Sequence, residues 1–376
     1  MQYKEFGNTG VKLSRLGFGS MRLPLTADGN QVDYDKAIPI IHRAFELGVN
    51  YIDTAYFYCN GTSEICVGRA LAAGWRDKVY LSTKCPMSQV QKPSDYRRVL
   101  EEQLQKLQTD HIDFYHFHSL DQTSYREKVL GLNLFNEVAK AKEEGLIRWA
   151  SFSFHDKPEV MREIIDSGQF ASLLCQYNLL DRKNEESIAY GASKGLGVAI
   201  MGPVGGGRLS YPSEMLTGLA SGARSTAESA LRFVLSNPNV TIALSGMNTM
   251  AMVEENTATA SLSEPLSPDE RTAINEVLER TQRLADLYCT GCEYCLPCPN
   301  GVNIPRNFQI MNYHRVYGLT DMARAHYARL VEKGEQAESC LACGQCEPKC
   351  PQKIKIIDQL KDVATALGGT EVNSAS

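Results

Sequence analysis

The chain has 376 residues, enough for one large domain and a smaller one. Its 43% apolar and 22% charged residues are the proportions of a globular protein and exclude a disordered one. A net charge of −5, with Lys and Arg scattered along the chain, excludes a nucleic-acid binder, which needs a basic face to neutralise phosphates. No apolar run reaches the ~18 residues of a membrane span, and MQYKEFGNTGVKLSRLGFGS lacks the apolar core of a secretory signal. A cytoplasmic protein with no membrane contact is therefore expected, in which clustered cysteines bind metal more readily than they form disulfides.

In chain order, the first 24 residues predict a hairpin turning at Asn8-Thr9-Gly10, followed by the apolar run Leu16 to Gly19. Short apolar runs then recur at Tyr51 to Asp53, Val79 to Lys84, Ile112 to His118, Ile147 to Phe152, Ser172 to Gln176, Gly197 to Met201 and Thr241 to Ser245. They alternate with helical patterns at Tyr34 to Leu47, Ser63 to Ala72, Ser94 to Lys106, Leu132 to Glu144, Pro158 to Ser167, Glu185 to Lys194, Ser225 to Ser236 and Met250 to Ala258. Eight strand–helix pairs in about 250 residues predict an α/β TIM barrel, because buried parallel strands read as continuous apolar runs. A doubly wound sheet is the rival, but GFGSMRLPL after the first strand lacks the G-x-G-x-x-G phosphate loop.

The rhythm breaks at SLSEPLSP, Ser261 to Pro268, which predicts domains at 1–264 and 265–376. An amphipathic helix is expected from Pro268 to about Leu287, a helical stretch from about Ile304 to Val331, and a frayed tail from Gly368. Two cysteine groups flank the middle stretch. Cys289, Cys292, Cys295 and Cys298 form C-x2-C-x2-C-x2-C-P, and Cys340, Cys343, Cys346 and Cys350 form C-x2-C-x2-C-x3-C-P. The second is the bacterial ferredoxin run, whose fourth thiolate serves the other cluster. Crossing the groups predicts two [4Fe–4S] clusters, one on Cys289, Cys292, Cys295 and Cys350, the other on Cys298, Cys340, Cys343 and Cys346. Two four-thiolate zinc sites are the alternative.

In a TIM barrel the C-terminal strand ends hold the chemistry. Asp53 and Tyr58 follow the second strand, Lys84 ends the third and His118 the fourth. A tyrosine hydroxyl, ordinarily of pKa about 10, can protonate a carbonyl oxygen if an ammonium stabilises the phenolate left behind. Lys84 supplies that ammonium, Asp53 balances it, and His118 orients the substrate oxygen. Tyr56 competes with Tyr58 and His116 with His118, while His155 could reach the pocket from the fifth loop. Cys59, Cys66, Cys85 and Cys175 lack ligand spacing and read as small buried hydrophobes.

With GNTGVKLSRLGFGSMRL, GVNYIDTAYFYCNGTSEICVGRAL, VYLSTK, HIDFYHFH, GLIRWASFSFH, LLCQYN, AIMGPVGGGRL and SGMNTMAMVEEN in view, the first 260 or so residues resemble the aldo-keto reductases. The resemblance implies Asp53, Tyr58, Lys84 and His118 as the catalytic set, Tyr58 lying five residues after the Asp. It also implies a nicotinamide dinucleotide, NADP or NAD, with Ser153 and Gln176 on the nicotinamide amide and Asn178 nearby. Met201 stands where an aromatic usually stacks on the ring. The diphosphate is expected along Gly205 to Leu209, including Gly207, and the adenosine end at Gly246, Glu255 and Asn256. The cations that clasp the 2′-phosphate in the family fall on Gly246 and Met252, so the choice between NADPH and NADH is open. CTGCEYCLPCPNGVNIP resembles the dicluster domain attached to one branch of the family.

The leading expectation is an oxidoreductase moving hydride between nicotinamide and a small carbonyl or alcohol, with two clusters and room for a redox partner protein. The alternative is an iron–sulfur electron-transfer or redox-sensing protein whose barrel turns over no carbonyl.

Overall fold

The computed structural model describes residues 1–72, 74–286, 289, 295–350 and 354–368. Two compact units emerge. The first is Met1–Gly206 with Ala230–Ser267, and the second is Gly207–Ser229 with Pro268–Ser376. The 264/265 boundary expected from the sequence lies in the stretch where the first unit's second segment ends.

In the first unit the antiparallel strands β1 (Tyr3–Glu5) and β2 (Lys12–Ser14) form the N-terminal hairpin. Eight parallel strands follow: β3 (Leu16–Gly19), β4 (Tyr51–Asp53), β5 (Tyr80–Pro86), β6 (Ile112–Leu120), β7 (Ile147–Phe154), β8 (Ser172–Gln176), β9 (Gly197–Met201) and β10 (Ile242–Ser245). They close in the order β10-β3-β4-β5-β6-β7-β8-β9, sealed where Leu16 pairs with Ala243. The TIM barrel is thus observed. Outside it lie α1 (Tyr34–Glu46), α2 (Ser63–Ala72), α3 (Pro93–Leu107), α4 (Leu134–Glu143), α5 (Pro158–Asp166) and α6 (Glu185–Ser193). After the short α7 (Glu214–Thr217) come α8 (Thr226–Ser236) and α9 (Met250–Ala260).

Helix α1 shows why these segments are helical. Asp33 caps it by accepting from Lys36 N, and Ala37, Ile40, Ile41, Ala44 and Phe45 recur at helical spacing to make one buried face. Gly48, at φ +95°, releases the chain into β4.

The hairpin carries Phe6 into the barrel core beside Tyr51, Phe114, Leu174, Ala199 and Ile242. Its ring meets Phe114 edge-on at 5.0 Å, and burying such a side chain contributes roughly 1.5–3 kcal/mol. The strand responds with Gly197, where a Cβ would lie 2.5 Å from the Phe6 ring.

Two strands run further than their apolar patterns suggest. Lys84 and His118 do not end them: β5 continues to Pro86 and β6 to Leu120. The extension of β6 is irregular. Phe117 pairs with Phe152 but Leu120 with Phe154, leaving an extra residue at Ser119, which takes φ +55°. Ser153 Oγ accepts from the displaced Ser119 N at 2.7 Å. A bulge of this kind re-aims the side chain beside it, here His118.

In the second unit, α10 (Pro268–Asp286) precedes the first cysteine group. The helical stretch expected from Ile304 to Val331 is two helices, α11 (Ile304–Arg315) and α12 (Thr320–Glu332), because Gly318, at φ +64°, breaks it. A last helix, α13 (Ile356–Leu367), closes the unit. Asn303 caps α11, and Asn307 Nδ2 donates to Glu335 O at 2.9 Å, pinning the chain after α12 beside the start of α11. Ser213, from the segment between β9 and α8, donates to Tyr317 O at 2.7 Å. The expected tail beyond Gly368 lies outside the described residues. Among the described residues no helix is long and apolar enough to cross a membrane.

Candidate active site and cysteine cavity

At the C-terminal ends of β4 and β5 an ion pair is sealed from water. Lys84 Nζ donates to Asp53 Oδ2 at 2.6 Å and to Thr54 O at 2.7 Å, while Ser82 Oγ donates to Asp53 Oδ1 at 2.9 Å. Lys84 is 1% exposed and Asp53 4%. Burial alone would lower the Lys84 pKa, but the Asp53 carboxylate and Tyr58 outweigh it and leave it raised, so the side chain is a held cation.

Tyr58 closes over this pair, its ring centroid 4.8 Å from Lys84 Nζ. Burial raises the phenol's pKa, with Lys84 pulling it down and Asp53 pushing it up, for a net rise above the ordinary value. His118 meets the Tyr58 ring edge-on at 6.2 Å. Burial and then the Lys84 charge push its pKa down to about 3, so it is a neutral imidazole at neutral pH. The two competitors behave differently. Tyr56 turns its hydroxyl to Glu102 Oε2 on α3, 2.9 Å away. His116 is 1% exposed with neither ring nitrogen well hydrogen-bonded, and burial followed by the Lys84 charge brings its pKa to about 3. The pKa of His155 is lowered by burial, then by Lys183 and Lys84.

The residues expected at the nicotinamide lie at the next strand ends. Ser153 is buried and engaged with Ser119, Gln176 Nε2 donates to Asp181 Oδ2 at 3.2 Å, and Asn178 Nδ2 donates to Gly202 O at 2.9 Å. Met201 is half-buried against the barrel core. Gly202, Gly205 and Gly206 all take φ between +61° and +66°, a path that glycine follows without strain and that lets a ligand approach the main chain. Gly246, directly after β10, lies against the Arg22 side chain, and Asn256 Nδ2 donates to Ser245 Oγ at 3.1 Å. Glu255 is half-buried on α9. These residues fit a dinucleotide laid over main chain at the strand ends. Gly207 and Leu209, also expected at the dinucleotide, belong to the second unit, and the Leu209 side chain is fully buried.

In the second unit Cys298, Cys340, Cys343 and Cys346 line one cavity, joined by Cys295, Ile304, Ile357 and Leu360. The four thiols assigned to one cluster are thus brought together, and Cys295, expected with the other four, shares the wall. Cys289 and Cys350 are half-buried and not among its walls, and Cys292 lies outside the described residues. Among the described residues no three His, Cys, Asp or Glu side chains converge on a single point as around one metal ion. In the barrel Cys66, Cys85 and Cys175 are buried and Cys59 half-buried; burial pushes the Cys66 and Cys85 thiols up to about 12.

Three contributors lack the residue-type signals that mark the others. Thr54 acts through its backbone oxygen, which no side chain announces. Ser82 lies two residues before Lys84, and alternation could have placed it on the same face. Arg22, in the loop after β3, comes to lie against Gly246.

Residues 15–279 match the model of the aldo/keto reductase family, and residues 288–354 that of the 4Fe-4S dicluster domain. L-galactose dehydrogenase of Arabidopsis thaliana is 27% identical over 76% of this chain and 96% of its own. An uncharacterized oxidoreductase of Bacillus subtilis is 27% identical over 68% of this chain and 90% of its own. Among solved structures, the holo form of an aldo-keto reductase from Bacillus halodurans is similar with a TM-score of 0.64 and 28% identity, covering 73% of this chain and 96% of that one. An aldo/keto reductase from Klebsiella pneumoniae, solved with NADP and acetate, has a TM-score of 0.63 at 23% identity over 74% of this chain and 96% of its own, a likeness of fold. With its barrel, its strand-end site and these matches, the chain belongs to the aldo/keto reductase family, as an oxidoreductase whose barrel is followed by a 4Fe-4S dicluster domain.

Proposed function

We propose that the barrel reduces a small carbonyl compound, or oxidises the corresponding alcohol, with a nicotinamide dinucleotide, and that the C-terminal domain carries two [4Fe–4S] clusters. The observation that carries this reading is the buried Lys84–Asp53 pair with Tyr58 and His118 beside it. When bound, the nicotinamide supplies or accepts a hydride and the clusters supply or accept single electrons. Tyr58, protonated at neutral pH, donates its hydroxyl proton to the substrate's carbonyl oxygen, and the Lys84 ammonium stabilises the phenolate that remains. Asp53, held by Ser82, keeps that ammonium charged and fixed. Neutral His118 offers a ring N–H to the same oxygen and orients it. Ser153, Gln176, Met201, Gly205, Gly246, Glu255 and Asn256 are proposed to hold the dinucleotide. The barrel and dicluster domains are assigned to 1–264 and 265–376, and the clusters to the crossed cysteine sets.

The test is an anaerobic preparation assayed with NADPH and NADH against a panel of aldehydes and ketones. Tyr58→Phe is expected to lower kcat about 10²–10⁴-fold, the usual contribution of a positioned proton donor, and Lys84→Met to be at least as damaging. Undiminished turnover in either variant refutes the mechanism. A parent that binds iron but reduces no carbonyl instead favours an electron-transfer or redox-sensing protein. Iron and acid-labile sulfide near eight atoms each per chain, the content of two four-iron clusters, supports the clusters; zinc in their place refutes them.

A further inference from the structure

Strand β5 outlasts its neighbour β4. The shorter strand ends at Asp53, opposite Ser82, and Thr54 N then donates to Ser82 O at 2.9 Å. Carbonyls of a strand turn alternately to its two neighbours, so Lys84 O, two residues on from Ser82 O, also faces the β4 side, where that strand has stopped. The donor it meets there comes from a helix. Gln103 Nε2, on α3, donates to Lys84 O at 3.1 Å, to Glu64 Oε1 at 2.5 Å and toward Thr83 Oγ1 at 3.1 Å. Thr83 Oγ1 itself donates to Glu64 Oε1 at 2.7 Å. The other end of the amide is fixed by Tyr115 on β6, whose hydroxyl donates to Gln103 Oε1 at 2.7 Å, so the amide nitrogen is the end turned to Lys84. Glu64, Thr83, Gln103 and Tyr115 are all buried, and Lys106 Nζ lies 3.6 Å from the second Glu64 oxygen. A buried polar group satisfied on every side holds one orientation, because leaving it is costly.

We infer that Gln103, oriented by Glu64 and Tyr115, is a positioning residue for the Lys84 ammonium. It holds the main chain of β5 at the point from which the Lys84 side chain reaches Asp53, Thr54 O and the Tyr58 ring. This rests on the proton-donor reading above and extends it to side chains on the far side of the strand from the reaction. Without the Gln103 amide, β5 at Lys84 is held only by its pairing with β6, where Lys84 lies opposite His116. Of the groups facing Tyr58, Lys84 on β5 favours the phenolate, Asp53 on β4 opposes it, and His118 on β6 is neutral. A loosened Lys84 therefore stabilises the phenolate less, and Tyr58 gives up its proton at a higher pH.

The experiment is the pH profile of alcohol oxidation at saturating cofactor, with melting temperatures alongside, for the full-length anaerobic parent, Gln103→Met and Tyr115→Phe. Gln103→Met keeps the length of the side chain and removes its donor. It is expected to shift the rise of the oxidation rate to higher pH and to lower the kcat of carbonyl reduction about three- to tenfold, the size of one hydrogen bond, with the KM for the carbonyl near the parent's. Tyr115→Phe deletes only the hydroxyl that fixes the amide, and should shift the profile in the same direction by less. If Gln103→Met does not fold, Tyr115→Phe decides. Lowered melting temperatures with unmoved pH profiles reduce Gln103 to a packing role and overturn the inference. A parent that turns over no carbonyl or alcohol sinks the proton-donor reading itself, a result distinct from an active parent whose variants keep its profile.

Discussion

A buried ammonium costs several kcal/mol in desolvation even after the protein relaxes around it, and Lys84 is tolerated because three oxygens meet it or its partner within hydrogen-bonding distance. The consequence for Tyr58 is a phenol that stays protonated through the neutral range, since burial lifts its pKa above the ordinary value despite the cation beside it. Carbonyl reduction should therefore be level from pH 6 to about 9 and fall only as the phenol ionises, above its usual pKa of about 10. Alcohol oxidation needs the phenolate and should rise with pH over the same range. Rate profiles for both directions, measured with saturating cofactor, check this; a reduction rate that halves between pH 7 and 8 contradicts it. At this scale Asp53, Lys84 and His118 were legible because strand-end position and residue type together imply chemistry. The proposed role of Tyr58 rather than Tyr56 is supported by α3, whose Glu102 takes the Tyr56 hydroxyl. The contacts of Arg22 with Gly206 and Gly246 were not legible, because the two glycines lie far along the chain.

Among the elements, the hairpin and β9 fit each other through the absence of a side chain. Gly197→Ala places a methyl 2.5 Å from the Phe6 ring, so the ring must leave its place against Phe114. Overpacking of this sort costs about 1–3 kcal/mol, and a lowered melting temperature is expected, recovered in part by adding Phe6→Leu. An unchanged melting temperature would show that the hairpin yields freely. The elements themselves were readable from alternating apolar runs and helical periodicity, and their order implied a barrel. The bulge at Ser119 was not, because HFHSL carries no glycine or proline to mark a left-handed residue. The break between α11 and α12 had its mark in Gly318, but a polar and aromatic stretch hides it, since a single glycine is tolerated within a helical pattern.

For the whole molecule, the neutral histidines make the barrel acid-sensitive. His116 and His118 titrate near 3 when folded, whereas an unfolded histidine titrates near about 6.5. Above that value both states are neutral and nothing changes. Below it the unfolded chain binds protons the folded one refuses, so stability is lost progressively as pH falls from about 6.5 toward 3. Melting temperatures at pH 7, 6 and 5 should decline, and His116→Leu should flatten the decline while costing little at pH 7, because neither ring nitrogen makes a good hydrogen bond. An identical decline in that variant removes His116 from the account. The second unit should answer to iron instead. Limited proteolysis of the full chain, with cleavage sites mapped, should find residues 295–350 protected when iron-loaded and cut when stripped, as metal-held small domains commonly are. Equal protection in both would mean that α11, α12 and α13 suffice. The cysteine spacing pointed to a metal-binding unit, but nothing in the sequence announced that Gly207–Ser229 groups with it, a relation created by Ser213 meeting Tyr317 in space.

The cavity lined by Cys298 and by Cys340, Cys343 and Cys346 has a consequence for how the protein is made. Its two walls are separated in the chain by the whole of α11 and α12, so the cavity does not exist until that helix pair has turned the backbone back and Asn307 has fastened to Glu335 O. On the proposed cluster assignment, iron delivery to this cavity is therefore open only to a chain that has already folded its hairpin of helices, and the helix pair would act as the template on which the cofactor is built.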